Sequence, residues 1–254
     1  MKNVYLISIL IICLISCKKD TPKFIDVESP DITKYVLNLS GTKINHYSKY
    51  LNNVLQETTY FTDLDTIIDR ITKNSSDKII YKERFFIGSN DYAESSIDSC
   101  FDDNGLLYIN TSTYQYNNGF LIESDLKYKH FGACTDSGVV TMYNNISDDN
   151  IISTKSYSCT DLFDYNDKVN LIDVRYFSNL IKGKVSKNLI SHASWANGCP
   201  AGPSMTISHS DFEYEFNSNN YISKMRAIRT PCYHTGNTEE VTRTIYTTIY
   251  EYVW

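Results

Sequence analysis

The sequence predicts an all-β protein. The fold class is a large, twisted antiparallel meander sheet, either open or curled into a barrel, with one short helix near residues 171–182. Tyr occurs 21 times in 254 residues, and Tyr suits pleated, half-buried surfaces. Clusters of Asn, Asp and Gly recur at the spacing of tight turns. The runs between these clusters alternate between apolar and polar side chains, which is the pattern of half-buried strands.

The stretch from 106 to 128 shows this design most clearly. Two alternating runs flank Asn117-Asn118-Gly119, and Gly119 tolerates the positive φ that a hairpin turn needs. One face of the ribbon is mostly aromatic and aliphatic, and the other is polar. The expected partners on the apolar face are Tyr116 with Phe120, Tyr114 with Ile122, Ser112 with Ser124, and Tyr108 with Tyr128.

The first residues of the sequence have the pattern of a signal for export. A short basic start precedes an apolar run over 4–15, which has the length of a signal-peptide core and is short for a membrane span. Leu14-Ile15-Ser16-Cys17 resembles the lipobox of bacterial lipoproteins. This resemblance implies a lipoprotein signal peptide over 1–16, a lipidated Cys17 and a polar tether over 17–31, followed by one β-rich domain over 32–254.

The strands follow in hairpins separated by turn residues. A hairpin is predicted over 44–61 around Asn52-Asn53. A meander is predicted over 92–129. The other expected strands are 67–72, 78–87, 139–146, 151–163, 204–216, 221–230 and 241–254.

The hairpin over 204–230 predicts its own register. With residues 217–220 at the tip, Glu213 faces Lys224 and Asp211 faces Arg226 on one side of the ribbon. Phe216, Tyr214 and Phe212 fall on the other side. Each such cross-strand pair contributes roughly 0.2–1 kcal/mol, and a slip of one residue would move charges into the core.

One segment breaks the strand pattern. Apolar residues at 169, 172, 176 and 180 have helical spacing, and Gly183 is a suitable end for a helix. This pattern predicts the short helix over about 171–182.

The hairpins share a local motif. Phe101-Asp-Asp-Asn-Gly-Leu-Leu, Tyr116-Asn-Asn-Gly-Phe-Leu and Phe216-Asn-Ser-Asn-Asn-Tyr-Ile resemble the Tyr-Asp hairpin repeats of many Bacteroidota lipoproteins of unknown function. The resemblance covers most of 92–254. It implies a lineage and a fold, and no particular chemistry. Cys17-Lys-Lys-Asp also resembles the start of such lipoproteins, some of which are displayed on the outer face.

Five of the seven cysteines follow the signal and anchor, and an exported protein can oxidise them. The hairpin register brings Cys232 near the residues that follow Cys199, so a Cys199–Cys232 disulfide is expected. A Cys134–Cys159 disulfide is a weaker second expectation. The alternative is a hydrolase in which Cys199 acts as a nucleophile with a nearby histidine.

The predicted ligand-binding residues are His192, Trp195 and Asn197. They fall in a Pro- and Gly-rich stretch over 192–203 that reads as a loop, and loops often present binding residues. An aromatic ring beside amide donors suits sugar stacking or peptide contact. The acidic turn before Gly105 lacks the oxygen ligands of a calcium loop, so no metal site and no cofactor are expected.

The sequence favours a binding or scaffold module over an enzyme. The net charge is −6, and an acidic chain without a basic patch is a poor partner for nucleic acid. The expected protein is an outer-membrane lipoprotein, periplasmic or surface-facing, that is held by its lipid anchor and binds a glycan or a protein. A small outer-membrane β-barrel is the further alternative, because the chain ends in an aromatic strand.

Overall fold

The structure is a computed structural model, and it describes residues 24–40, 43–131, 136–156, 159–170, 184, 186–197, 206–233 and 241–254. All regular secondary structure in these residues is β-strand, and the strands close into a barrel. The all-β class and the curled sheet are therefore confirmed. The helix predicted over 171–182 lies outside the described residues, as do the signal peptide and Cys17.

The described ranges contain fifteen strands, and each one pairs with its neighbours in the sequence. The predicted hairpins and the 92–129 meander are confirmed. The strands are β1 Phe24–Ser40, β2 Lys43–Leu51, β3 Val54–Asp63, β4 Ile67–Asn74, β5 Ile79–Ile87, β6 Ala93–Asp102, β7 Gly105–Asn117, β8 Phe120–His130, β9 Ser137–Ser147, β10 Asn150–Lys155, β11 Thr160–Val169, β12 Asn188–Asn197, β13 Thr206–Phe216, β14 Ile222–Tyr233 and β15 Val241–Val253.

The barrel closes through a parallel pair, β1 with β15. An odd number of strands in up-and-down order must contain one parallel pair, because alternating directions cannot otherwise meet. Strand β1 begins at Phe24, so the second half of the expected tether, 24–31, lies in the wall. Pro30 falls where the register shifts between Glu28 and Ile32, a position where its missing N–H costs no ladder hydrogen bond.

The two ends of the barrel differ. At the end where β1 starts, called the tether end here, the chain turns between β2 and β3, β4 and β5, and β6 and β7. At the other end, called the C-terminal end, two residues that precede β12 lie against two turns. Lys184 N donates to Gly119 O at 2.7 Å, and Lys187 N donates to Asp149 O at 2.9 Å.

Side chains alternate between the lumen and the outer wall, as the strand period requires. Apolar residues fill much of the lumen beside β1 to β7. Leu37, Ile44 and Phe85 are the most buried of them, with 2% or less of their surface exposed. Tyr35 and Tyr250 stack across the closing parallel pair with ring centroids 5.1 Å apart. The closure is thus packed from inside as well as hydrogen-bonded.

Strand 151–163 was predicted as one piece, and this is wrong. A turn at 156–159 divides it into β10 and β11, where Ser156 N donates to Cys159 O at 2.9 Å. The sequence Lys-Ser-Tyr-Ser-Cys contains no Gly, Pro or Asn that would predict a turn there.

Both predicted hairpin registers are displaced by two residues, and the predicted faces are correct except next to the turns, where Leu121 and Ile222 lie inward instead. Tyr114 pairs with Ser124 rather than Ile122, and Glu213 pairs with Arg226 rather than Lys224. In each hairpin a register shift lies within two residues of the turn. A displacement of two preserves the inward and outward sets, because the side-chain period is two.

Candidate functional site within the barrel lumen

The lumen contains a cavity of about 790 Å³, which is within the size range of small-molecule sites. Side chains from β4 through β15 reach it. Ionic and amide groups are concentrated on β4 to β7, and the rest of the wall mixes aromatic and aliphatic side chains with polar ones such as Asn144, Lys184 and Asn188. The aliphatic and aromatic side chains of the wall include Leu126, Met142, Phe163, Ile190, Ile222 and Met225.

Four inward side chains form a polar row at one level of the barrel. Arg70 on β4 pairs directly with Glu83 on β5, Glu83 with Asp98 on β6, and Asp98 with Asn110 on β7. Glu83 and Asp98 are only 6% and 7% exposed. We call these four residues the polar row.

Hydrogen bonds connect the polar row internally. Arg70 Nη1 donates to Glu83 Oε2 at 3.2 Å, and Arg70 Nη2 donates to Tyr47 OH at 3.0 Å. Asn110 Nδ2 donates to Asp98 Oδ1 at 3.1 Å. A buried carboxylate keeps its charge only when such partners compensate for lost hydration, so these bonds explain how Glu83 and Asp98 are accommodated.

The electrostatic setting keeps the groups around the row in their ordinary charge states at neutral pH. Burial lowers the pKa of Arg70, but its interactions with Tyr47 and Glu83 outweigh burial and raise that pKa overall. Burial, reinforced by Glu83 and Asp98, raises the pKa of Tyr81 far above its usual value. Burial also raises the pKa of Tyr108 to about 12. The two phenols beside the row therefore stay protonated.

Two atoms of the polar row lack hydrogen-bond partners among the described residues. They are Arg70 Nε, a donor, and Asn110 Oδ1, an acceptor, and both are buried. Buried polar atoms without partners are uncommon in native proteins. Their position beside a cavity points to a group that enters from the lumen.

Tyrosines elsewhere in the cavity wall are held rigidly. The hydroxyl of Tyr165 donates to Ile151 O at 2.6 Å, and that of Tyr214 donates to Ile190 O at 2.8 Å. Tyr114 OH lies 2.7 Å from Ser96 Oγ. Because their hydroxyls are fixed to the wall, the cavity has preformed aromatic surfaces, which lowers the ordering cost of binding.

Two of the three ligand-binding residues predicted from the sequence, His192 and Trp195, face opposite sides of the barrel wall. His192, Trp195 and Asn197 lie on strand β12, and the expectation of a loop is wrong for them. His192 faces outward, where its Nδ1 lies 2.7 Å from Asp211 Oδ1. Trp195 faces inward, with the Arg229 guanidinium 5.8 Å from its ring, and it lies outside the cavity wall. The Asn197 side chain is outside the described part of the chain.

The cysteine predictions stay predictions. Cys134 and Cys199 lie outside the described residues, as does the side chain of Cys232, so neither predicted disulfide is tested. The same holds for a hydrolase built on Cys199. His192 and His209 sit side by side on the outer wall, with ring centroids 5.6 Å apart. In the described ranges no group of three or more His, Cys, Asp or Glu side chains is placed to hold a metal.

The polar row was missed in the sequence, although it leaves a signal there. Arg70 lies between Ile68 and Thr72 in the alternating pattern, and Glu83 lies between Tyr81 and Phe85. A charge at an apolar-face position marks each strand separately. Only the order of the strands shows that these positions are neighbours.

Comparisons with known proteins give little beyond the fold. No protein-family model matches the chain, and a search of curated proteins finds no match. The described residues contain no helix that is long and apolar enough to cross a membrane. Among solved structures, a protein described as porin-like from Bacteroides uniformis is 12% identical, with a TM-score of 0.46, and the alignment covers 80% of this chain and 82% of that one. A porin-like protein from Bacteroides vulgatus is 10% identical, with a TM-score of 0.49, and the alignment covers 73% of this chain and 92% of that one.

Proposed function

We propose that this protein is a ligand-binding β-barrel that stands in water at the cell envelope, is tethered through a lipidated Cys17, and carries a small amphiphilic ligand in its lumen. The observation that carries the proposal is the cavity of about 790 Å³, which combines the polar row with apolar and aromatic walls. Such a lining is typical of sites that orient an organic ligand by a few polar groups.

The outer wall supports a barrel in water. Arg84 forms two hydrogen bonds with Asp69, at 2.7 and 2.8 Å. Further ion pairs join neighbouring strands on the same face. They are Glu213 with Arg226 at 3.4 Å, Glu215 with Lys224 at 3.2 Å, and Lys34 with Glu251 at 3.4 Å.

Strand β8 gives the strongest support for an outer wall that faces water. Its outward positions are Glu123, Asp125, Lys127 and Lys129, which are the partners of outward residues on β7. A lipid-facing strand needs an apolar band, and each Lys or Arg at the bilayer midplane costs about 2–4 kcal/mol. A row of four charges is therefore compatible with water and opposed to lipid.

A barrel that crosses the outer membrane is the second candidate. The closed up-and-down topology favours it, and the aromatic final strand β15 agrees with it. Bacterial single-chain outer-membrane barrels have an even number of strands, whereas the described strands here number fifteen. The strand number and the four outward charges of β8 support the water-facing barrel.

Binding in the lumen is tested with the neutral fluorescent probe N-phenyl-1-naphthylamine, added to the chain from Lys18 to Trp254. We expect a saturable rise in emission. Ser124 faces the cavity and is 5% exposed, so Ser124→Phe should fill the site and reduce the signal. The matched control is Ser95→Phe on the outer wall. Absence of saturable emission, or equal loss in both variants, would refute a lumen site.

The water-facing wall is tested by purifying the same chain without detergent. A monodisperse species in size-exclusion chromatography is the expected result. A chain that stays in solution only with detergent would favour the membrane-spanning candidate.

A further inference from the structure

The polar row also specifies what kind of head group the lumen accepts, and this inference rests on the proposed function. We propose that the ligand is an amphiphile with an uncharged polyhydroxyl head, such as a glycolipid or alkyl glycoside. Its head lies against the polar row and its apolar part against the wall that contains Leu126, Met142 and Phe163.

The unpartnered atoms carry the argument about charge. Arg70 Nε can only donate a hydrogen bond, and Asn110 Oδ1 can only accept one. An ammonium head offers donors alone, so it would leave Arg70 Nε unpaired. A carboxylate or phosphate head offers acceptors alone and would meet the buried carboxylates of Glu83 and Asp98. Hydroxyl groups both donate and accept, so they can satisfy both atoms.

The spacing of these atoms argues for several hydroxyls rather than one. Arg70 and Asn110 stand on strands that are three steps apart, from β4 to β7. Three steps correspond to about 14 Å between their backbones, at about 4.8 Å per step. A single hydroxyl cannot reach both side chains, whereas one or two sugar rings can.

The tyrosines agree with a sugar-like head. Tyr81 and Tyr108 occupy the next inward level toward the tether end and line the same cavity. They present protonated hydroxyls and aromatic faces, on which the apolar C–H face of a sugar ring can pack. The opposite part of the cavity wall contains Met142 and Phe163, and an alkyl chain can pack against these two side chains.

The test compares three probes that share an eight-carbon chain, namely octyl β-maltoside, octylamine and octanoate, each below its micellar concentration. Isothermal titration calorimetry with the chain from Lys18 to Trp254 at pH 7 gives the affinities. We expect octyl maltoside to bind at least tenfold more tightly than either charged probe. Equal or tighter binding of octylamine or octanoate would overturn the proposed head group and leave lumen binding intact. Failure of all three probes would overturn lumen binding as well.

Two conservative variants connect the preference to the polar row. Arg70→Lys keeps the positive charge next to Glu83 and removes the Nε donor. Asn110→Leu removes the acceptor at nearly constant volume. One hydrogen bond is worth about 0.5–1.5 kcal/mol, so each variant should weaken maltoside binding about two- to tenfold. Thr111→Leu, on the outer face of the same strand, should change nothing. Unchanged maltoside affinity in both row variants, with folding verified by circular dichroism, would overturn the inference.

Discussion

Arg70 and Glu83 face each other across β4 and β5 inside the barrel, with Arg70 Nη1 3.2 Å from Glu83 Oε2 and the carboxylate side chain only 5% exposed. At the adjacent residue of each of these two strands, Asp69 and Arg84 form a second ion pair on the outer face, where the Arg84 side chain is 52% exposed. The same two strands thus hold one ion pair in the lumen and one in solvent. Their comparison separates the effect of burial from that of the pair itself.

Arg70→Met should destabilise the barrel by about 3–5 kcal/mol, because it leaves the Glu83 charge buried without its cation. Arg84→Met breaks the exposed pair and should cost about 0–1 kcal/mol. Urea denaturation followed by circular dichroism measures both. The double variant Arg70→Met with Glu83→Leu should recover much of the loss, since both charges are gone. An equal cost for the two single variants would contradict the interior placement of Arg70.

Stability should fall above pH 10 because buried tyrosines resist ionisation. Burial, with smaller contributions from Tyr35 and Tyr47, raises the pKa of Tyr250 to about 12. Between pH 10 and 12 the unfolded chain loses this proton and the folded chain keeps it. The favourable contribution is therefore complete below pH 10 and declines by about 1.4 kcal/mol per pH unit up to pH 12.

The measurement is the free energy of unfolding at pH 9, 10 and 11 for the unchanged protein and for Tyr250→Phe. The variant should show a shallower decline. Tyr60→Phe is the control, since Tyr60 is 46% exposed on the outer wall, and it should keep the original slope. Identical slopes in all three proteins would show that Tyr250 ionises normally in the barrel.

Gly119→Ala should destabilise the protein by about 1 kcal/mol through backbone strain. Gly119 has a φ of +85°, a region that costs L-residues about 1–2 kcal/mol. An added Cβ would also lie 2.7 Å from Lys184 Cε, but the end of a flexible side chain can move away. Lys184→Ala should therefore fail to restore stability to Gly119→Ala. Recovery in the double variant, measured by thermal unfolding, would show that the contact dominates instead.

Cys17→Ser should release the protein from the membrane fraction of expressing bacteria. A tethered barrel is held to the membrane by its lipid anchor. The acyl chains contribute about 0.8 kcal/mol of membrane-binding free energy per buried methylene. Fractionation of cells carrying the unchanged chain and the variant, with radiolabelled palmitate to report acylation, measures this. A variant that stays membrane-bound without the label would support a spanning barrel.

The hairpins could be predicted from the sequence because each depends on residues that are close together in the chain. Asn52-Asn53 and Asn118-Gly119 adopt the positive φ values that their residue types favour, and the alternation of Tyr114 with polar neighbours fixes which face turns inward. Register was less readable. The shift beside Gln115 and Tyr116 moves the partners by two residues, and no residue type in that stretch announces it.

The candidate site was not readable because its residues are neighbours only after closure. Arg70, Glu83, Asp98 and Asn110 come from four strands, and each looks in isolation like one polar residue on an apolar face. Trp195 stood out in the sequence because it is rare and lies near Gly and Pro, yet it faces the lumen at a position outside the cavity wall. Trp195 is therefore conspicuous in the sequence without being part of the cavity wall, whereas the inconspicuous polar row lines it.

The sequence by itself determined the all-β class, most of the turns and most of the inward and outward sets of side chains, since each depends on residues within a few positions of one another. The tertiary structure decided the rest. Closure through the parallel β1–β15 pair brings Tyr35 onto Tyr250, and the stacked registers of β4 to β7 align the polar row beside the cavity. These relationships join residues that are far apart in the chain, and only the summed pairing of all the strands fixes them.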